Sequence, residues 1–247
     1  MLRGYYTAAN AMITEQRVLD VVSNNLANIG TAGYKVDNAV TGTFSEWLVL
    51  SQGRPNGGEV HYRTLDTTYT DLEQGSLQTT YKDLDLAIQG SVYFNIIKDD
   101  ELLLTKAGQF NLDNEGYLTL GSIGRVADEN GQPIQLMTDE FSVDSDGVIT
   151  APNGDQWTLG LTYVDEAADV EKVGDVLFRP YNGEALGNIP ADYAFIVKQG
   201  AFERSTADLG KLQLEASSHQ GVFNANATAI KILMQMNDSA TKEYKVL

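Results

Sequence analysis

The two ends of the chain constrain its fold most. From Tyr5 to Leu26, and again from Val222 to Leu247, there is neither proline nor glycine, the residues that interrupt helices. Tyr5, Ala9, Met12, Gln16, Leu19, Ser23 and Leu26 follow one another at steps of four and three. That spacing is a heptad seam, interrupted by the polar Gln16 and Ser23 and flanked by Tyr6, Val18, Val21 and Val22. At the other end Ala216, His219, Phe223, Asn226, Ile230, Leu233, Asn237, Ala240, Tyr244 and Leu247 keep the same steps, with Ile232, Met234 and Met236 on a second, partly apolar face. The pattern predicts two long terminal helices. They form either a helix pair on a globular domain or a coiled-coil-like stalk whose second apolar face meets neighbouring copies.

Between the helices the character changes. The first helix runs into SNNLANIGTAGYK, Ser23 to Lys35, where Gly30 and Gly33 stop it. Asn28 is expected to take a left-handed conformation and cap the helix, with the asparagine side chains bonding backbone groups left open there. The segment serves as a helix stop alone, or as a stop whose polar groups also touch adjacent subunits. Beyond it, LDLAIQGSVYFNII and LLLTKAGQFNL are rich in strand formers, and Asn/Asp–Gly turns recur at Gly116, Gly131, Gly147 and Gly154. The fold class is therefore α+β, with a mainly antiparallel all-β middle. The expected division is 1–35 with 209–247 as a discontinuous helical domain, 36–83 as an extended connection, and 84–208 as a β-rich outer domain.

Charge and composition exclude several functions. The net charge is −17, yet residues 1–35 and 209–247 each carry about +1, which leaves some 19 negative charges in the middle. No cationic footprint for nucleic acid exists. No apolar run is long enough to span a membrane, and Glu15, Gln16, Arg17 and Asp20 interrupt any signal-peptide core. With no cysteine and only His61 and His219, no metal cluster or histidine triad is assembled. Neither a G-x-S-x-G elbow nor a phosphate loop is present. DSDG at Asp144–Gly147 is too short for a calcium loop and reads as a hairpin turn. No catalytic residue, metal ligand or cofactor is assigned.

The opening stretch resembles the N-terminal motif of the bacterial flagellar rod and hook protein family, in which S/A-N-N-[LI]-A-N precedes a Thr, a Gly, an aromatic and a basic residue. Here these are Ser23, Asn24, Asn25, Leu26, Ala27, Asn28, Thr31, Gly33, Tyr34 and Lys35. Further resemblances follow in order. DLEQGSLQTT carries Asp71, Gln74, Gly75 and Leu77. LDLAIQG, Leu84 to Gly90, matches the start of the family's β domain. TKAGQFNLDNEGYL spans Thr105 to Leu118, and QGAFERSTADL leads into the last helix. The chain departs from the family pattern at Ser91–Phe94, at Ser217–Phe223 and at its C-terminus, as a divergent paralogue of proximal- or distal-rod type would.

The resemblance implies a non-enzymatic structural subunit of the flagellar basal body. Its terminal helices would pair as an inner tube layer and its β domain would lie outside, in a helical polymer that transmits torque to the hook. The expected assembly interface is Tyr5, Met12, Leu19, Asn24, Asn25, Leu26, Asn28, Phe223, Asn226, Ile230, Leu233 and Tyr244. The implied partners are other copies, other rod and hook subunits, and the flagellar export apparatus, which would carry the unfolded chain to an extracytoplasmic location without a cleaved signal peptide. Two other classes compete with this reading: a soluble adaptor or cell-wall-associated binding module, and a carbohydrate-acting enzyme.

Overall fold

Apolar residues at three- and four-residue spacing form α1 (Leu2–Ala27) and α2 (Leu209–Tyr244), which contain no proline and tolerate glycine only at Gly4, Gly210 and Gly221. The structure is a computed structural model that describes residues 2–43, 63–99, 101–164, 170–180, 189–190 and 192–244. The side chains of 2, 3, 43, 63–66 and 240–244 lie outside the described residues, Tyr244 among them, as do RPNGG and His61 in 44–62. Asp208 caps α2, its Oδ1 accepting the Lys211 N–H at 2.9 Å.

Two compact units result. The helical unit comprises Met1–Ala27, Asp37–Tyr69 and Asp208–Leu247. In it α1 and α2 pack side by side, and the residue pairs that meet fix their direction. Glu15 meets His219, and Gly4 lies beside Leu233, so numbering falls along α1 as it rises along α2 and the pair is antiparallel. The unit also holds a two-stranded sheet of β1 (Asp37–Thr43) and β2 (Arg63–Thr70).

The strand-rich unit comprises Asn28–Val36 and Thr70–Ala207. Its largest sheet is built on β5 (Val92–Lys98) and β6 (Glu101–Thr105), which pair from Phe94–Thr105 to Lys98–Glu101. Two short pairs stand apart from it. In one, β4 (Leu86–Gln89) lies against β16 (Ile196–Gln199); in the other, β3 (Leu77–Thr79) lies against β17 (Ala201–Glu203). The named strand pairs of this unit run antiparallel. The core falls into two clusters: the larger holds Leu86, Ile88, Phe94, Ile96, Leu118, Ile134 and Ile149, all essentially without exposed surface, and the smaller holds Tyr93, Leu104, Val164, Val170 and Phe178.

The turn glycines behave as read. Gly116, Gly131, Gly147 and Gly154 all have positive φ. Three loops share one construction: in DNEG, DENG and DSDG the leading aspartate accepts two downstream N–H groups on Oδ1, and its carbonyl accepts the glycine N–H. DSDG is thus the hairpin turn between β10 (Ser142–Val143) and β11 (Val148–Thr150).

Three expectations change. The left-handed residue of the opening motif is Gly33, at φ 67°, whereas Asn28 has no positive φ. A Cβ on Gly33 would sit 2.2 Å from the Ala107 nitrogen, so glycine is required there by contact as well as by φ. Residues 28–36 cluster with the strands and not with α1, because Tyr34 and Lys35 are fully buried there. The connection 36–83 is likewise divided: 37–43 and 63–69 join the helical unit, and 70–83 the strand-rich one.

Candidate functional site

The first candidate surface lies on the helices. On α2 the half-buried line runs through Ala216, His219, Phe223, Asn226, Ile230 and Leu233, the seam read from sequence as far as Leu233; Asn237, next on that seam, is exposed, and the side chains of Ala240, Tyr244 and Leu247 lie outside the described residues. On α1 the buried line is Ala8, Glu15, Val18, Val22 and Asn25, one residue away from the seam read there. Gln16 and Ser23 are exposed. The shift has a physical cause. Gln16 and Ser23 gain nothing from burial, whereas Glu15 is 1% exposed because its Oε2 lies 2.6 Å from Nδ1 of His219.

Among the expected interface residues, Met12, Leu19, Leu26, Asn28, Phe223, Asn226, Ile230 and Leu233 are half-buried, and Tyr5 and Asn24 are exposed. Asn25 is buried. Its amide nitrogen donates to the Asp37 carbonyl at 2.8 Å, and its oxygen accepts the Asp37 N–H at 3.0 Å. That side chain is engaged inside the subunit. Asn28 accepts the Thr31 hydroxyl at 3.0 Å, closing the turn after α1.

The second feature lies inside the strand-rich unit, and it gathers the sequence motifs into one place. Lys35 has no exposed surface; its Nζ donates to Oε1 of Glu203 at 2.6 Å and to the Glu73 carbonyl. Gly75 N–H donates to the same Oε1 at 2.8 Å. A Cβ on Gly75 would stand 2.3 Å from the Arg204 carbonyl, so only glycine brings this N–H so close. Lys106 donates to the Gly90 carbonyl and lies 3.8 Å from Oε2 of Glu203, an atom that makes no hydrogen bond among the described residues. The Lys106 ammonium also stands 5.0 Å over the Tyr93 ring.

Two buried lysines thus share one buried carboxylate. Burial pulls the Lys106 ammonium down to about 8, against the opposing attraction of Glu203, and Lys35 adds like-charge repulsion. Burial, and secondarily the Glu203 charge, push the Tyr93 phenol above its ordinary value. The cluster is a structural clasp: residues 35, 73–75, 90, 106 and 203, each from a different motif, meet at one point. Sequence reading singled out the motifs but not their convergence, since lone lysines ordinarily mark surface.

Among the described residues no group of three His, Asp or Glu could hold a metal ion, and no described helix is long and apolar enough to cross a membrane.

Two terminal helices that pair within one unit, and a strand-rich unit whose motifs converge on one buried cluster, define a class of subunit, and comparison with known proteins gives its family. Residues 6–35 match the flagella basal body rod protein family, and residues 87–151 match the D1 domain of flagellar hook protein FlgE/F/G. The chain is 31% identical over 251 residues to flagellar basal-body rod protein FlgG of Bacillus subtilis, covering 93% of this chain and 94% of the relative. It is 29% identical over 268 residues to FlgG of Agrobacterium fabrum, covering 99% and 100%. Flagellar hook-basal body complex protein FlhO of Bacillus subtilis is 27% identical over 274 residues, with 98% of each covered. The chain belongs to the flagellar basal-body rod and hook protein family.

Proposed function

We propose that this chain is a non-enzymatic structural subunit of the bacterial flagellar rod. It polymerises through its terminal helices, which pair as a coiled-coil-like stalk and form the inner layer of a tube that carries torque to the hook. Its partners are further copies and other rod and hook subunits. The unfolded chain reaches its extracytoplasmic place through the flagellar export apparatus, without a cleaved signal peptide.

One observation carries this reading. Along Leu209–Ser239 of α2, Leu212 alone is buried. Meanwhile Leu214 (73%), Ile232 (51%), Met234 (51%) and Met236 (56%) are exposed, as are Tyr6 and Ile13 of α1. Helices with so little core of their own are marginal in water, and apolar surface of this kind is covered by association. Seating of the exposed α2 face of one copy on a different face of the next would be a heterologous contact, and a heterologous contact that does not close gives a filament. Sedimentation velocity and electron microscopy at rising protein concentration test the proposal. Growth into elongated polymers is expected; a monomer at every concentration would refute it.

A further inference from the structure

Tyr81 is a misfit that the fold does not explain. Its ring is 91% exposed and its φ is 60°, a conformation that costs a non-glycine residue about 1 kcal/mol or more. Glycine would adopt this φ without strain, and so exposed a ring gains almost nothing from burial. The bend that carries it is nonetheless firmly built. The N–H groups of Thr80 and Tyr81 donate to the Gly200 carbonyl at 2.7 and 3.1 Å, Gly200 N–H donates to the Asp85 carbonyl at 2.8 Å, and the Thr80 hydroxyl donates to Asp85 at 2.6 Å. The backbone that carries the ring is therefore fixed at the edge of an open cleft of about 620 Å³, within the range of small-molecule sites.

The lining narrows what the cleft accepts. Around Tyr81 stand Asp83, Gln109, Asn111 and Asp139, all exposed, with Lys82 at the same rim. Three carboxylates, Asp83, Asp139 and the more buried Asp85, oppose a polyanion. No described group of three metal-ligating side chains exists, which removes a cation site. Leu84 and Phe110 form the partly and fully buried floor, and apart from Tyr81 the exposed lining is polar, unlike the apolar centre typical of a protein interface. Carboxylates that accept, and amides that both accept and donate, match hydroxyl groups that also do both, and an exposed aromatic face matches the C–H face of a sugar ring. The geometry points to a saccharide-binding site in this cleft, with Tyr81 as the stacking platform and Asp83, Asp139, Gln109 and Asn111 as partners for the hydroxyls. The lining residues all belong to the strand-rich unit, and the inference does not depend on the assembly reading.

Saturation-transfer NMR on the full chain tests it, with chitotetraose and cellotetraose as probes at millimolar concentration. At least one sugar should receive transfer, strongest on the C–H protons of one ring face. Tyr81→Phe should keep binding. Tyr81→Gly should weaken it about tenfold, the scale of one well-placed aromatic contact, while its melting temperature stays equal or rises because the strain is relieved. Four results would overturn the assignment: no transfer from either sugar, undiminished binding by Tyr81→Gly, a lower melting temperature for Tyr81→Gly, which would make the ring a structural element, or Tyr81-dependent binding of a tetra-arginine peptide in place of sugar.

Discussion

Glu203→Gln is the sharpest perturbation of the strand-rich unit. The side chain keeps its shape, so its amide oxygen can still accept from Gly75 and Lys35. What disappears is the single carboxylate shared by two ammonium groups that are 0% and 2% exposed. Breaking a buried pair by removing one partner's charge costs about 3–5 kcal/mol, and the retained hydrogen bonds place this change near the lower end. A loss of about 3 kcal/mol is a large share of the 5–15 kcal/mol that holds a typical domain. The assay is urea unfolding followed by Trp157 fluorescence in a Trp47→Phe background. Trp157 packs against the core of the unit, so it reports there. The midpoint should fall with the slope unchanged. Replacing the whole cluster, as Lys35→Met, Lys106→Met and Glu203→Leu together, should recover at least half of the loss, because apolar replacements of a buried ion cluster are often neutral. A Glu203→Gln midpoint indistinguishable from the parent, or a triple variant worse than the single one, would refute the reasoning.

Stability of the same unit should respond to pH with an unusual sign. Lys106 titrates near 8 when folded and near 10.5 otherwise, so above pH 8 the unfolded chain binds the extra proton and stability rises, by up to about 3 kcal/mol toward pH 10.5. Tyr93 acts oppositely above pH 10, where the unfolded phenol ionises first; urea midpoints should therefore peak near pH 10, and Lys106→Met should abolish the rise. Gly116→Val should destabilise the unit by at least about 1 kcal/mol, since φ is 81° and a Cβ would meet the Met137 sulfur at 2.6 Å. That variant should leave helix-mediated association intact, measured by sedimentation beside its melting curve.

Legibility followed the physics of each element. The α2 seam could be read directly because Phe223, Ile230 and Leu233 are apolar where the helix is half-buried. The α1 line could not, because Glu15 and Asn25 are polar residues made burial-competent by partners distant in sequence, His219 and Asp37. The glycine turns were evident, since an aspartate three residues before a glycine builds the same local bonds wherever it occurs. Lys35 illustrates the opposite limit. Its burial depends on Glu203, 168 residues away, and no local pattern encodes that pairing. The recurrence of isolated polar residues inside glycine- and aromatic-rich motifs was the available signal. Tyr81 and its cleft had none, because φ is a property of the folded bend.

The central claim is that the helices, and not the strands, build the polymer. Rod assembly in cells carrying Ile230→Asp or Lys231→Ala, with export scored separately, tests it most directly. Ile230 is half-buried on the α1–α2 line and Lys231 is exposed beside it, and a charge placed among packed apolar groups costs several kcal/mol. Ile230→Asp should be exported yet fail to enter rods, with the melting transition of the strand-rich unit unchanged, while Lys231→Ala assembles normally. Normal rods from Ile230→Asp would contradict the account.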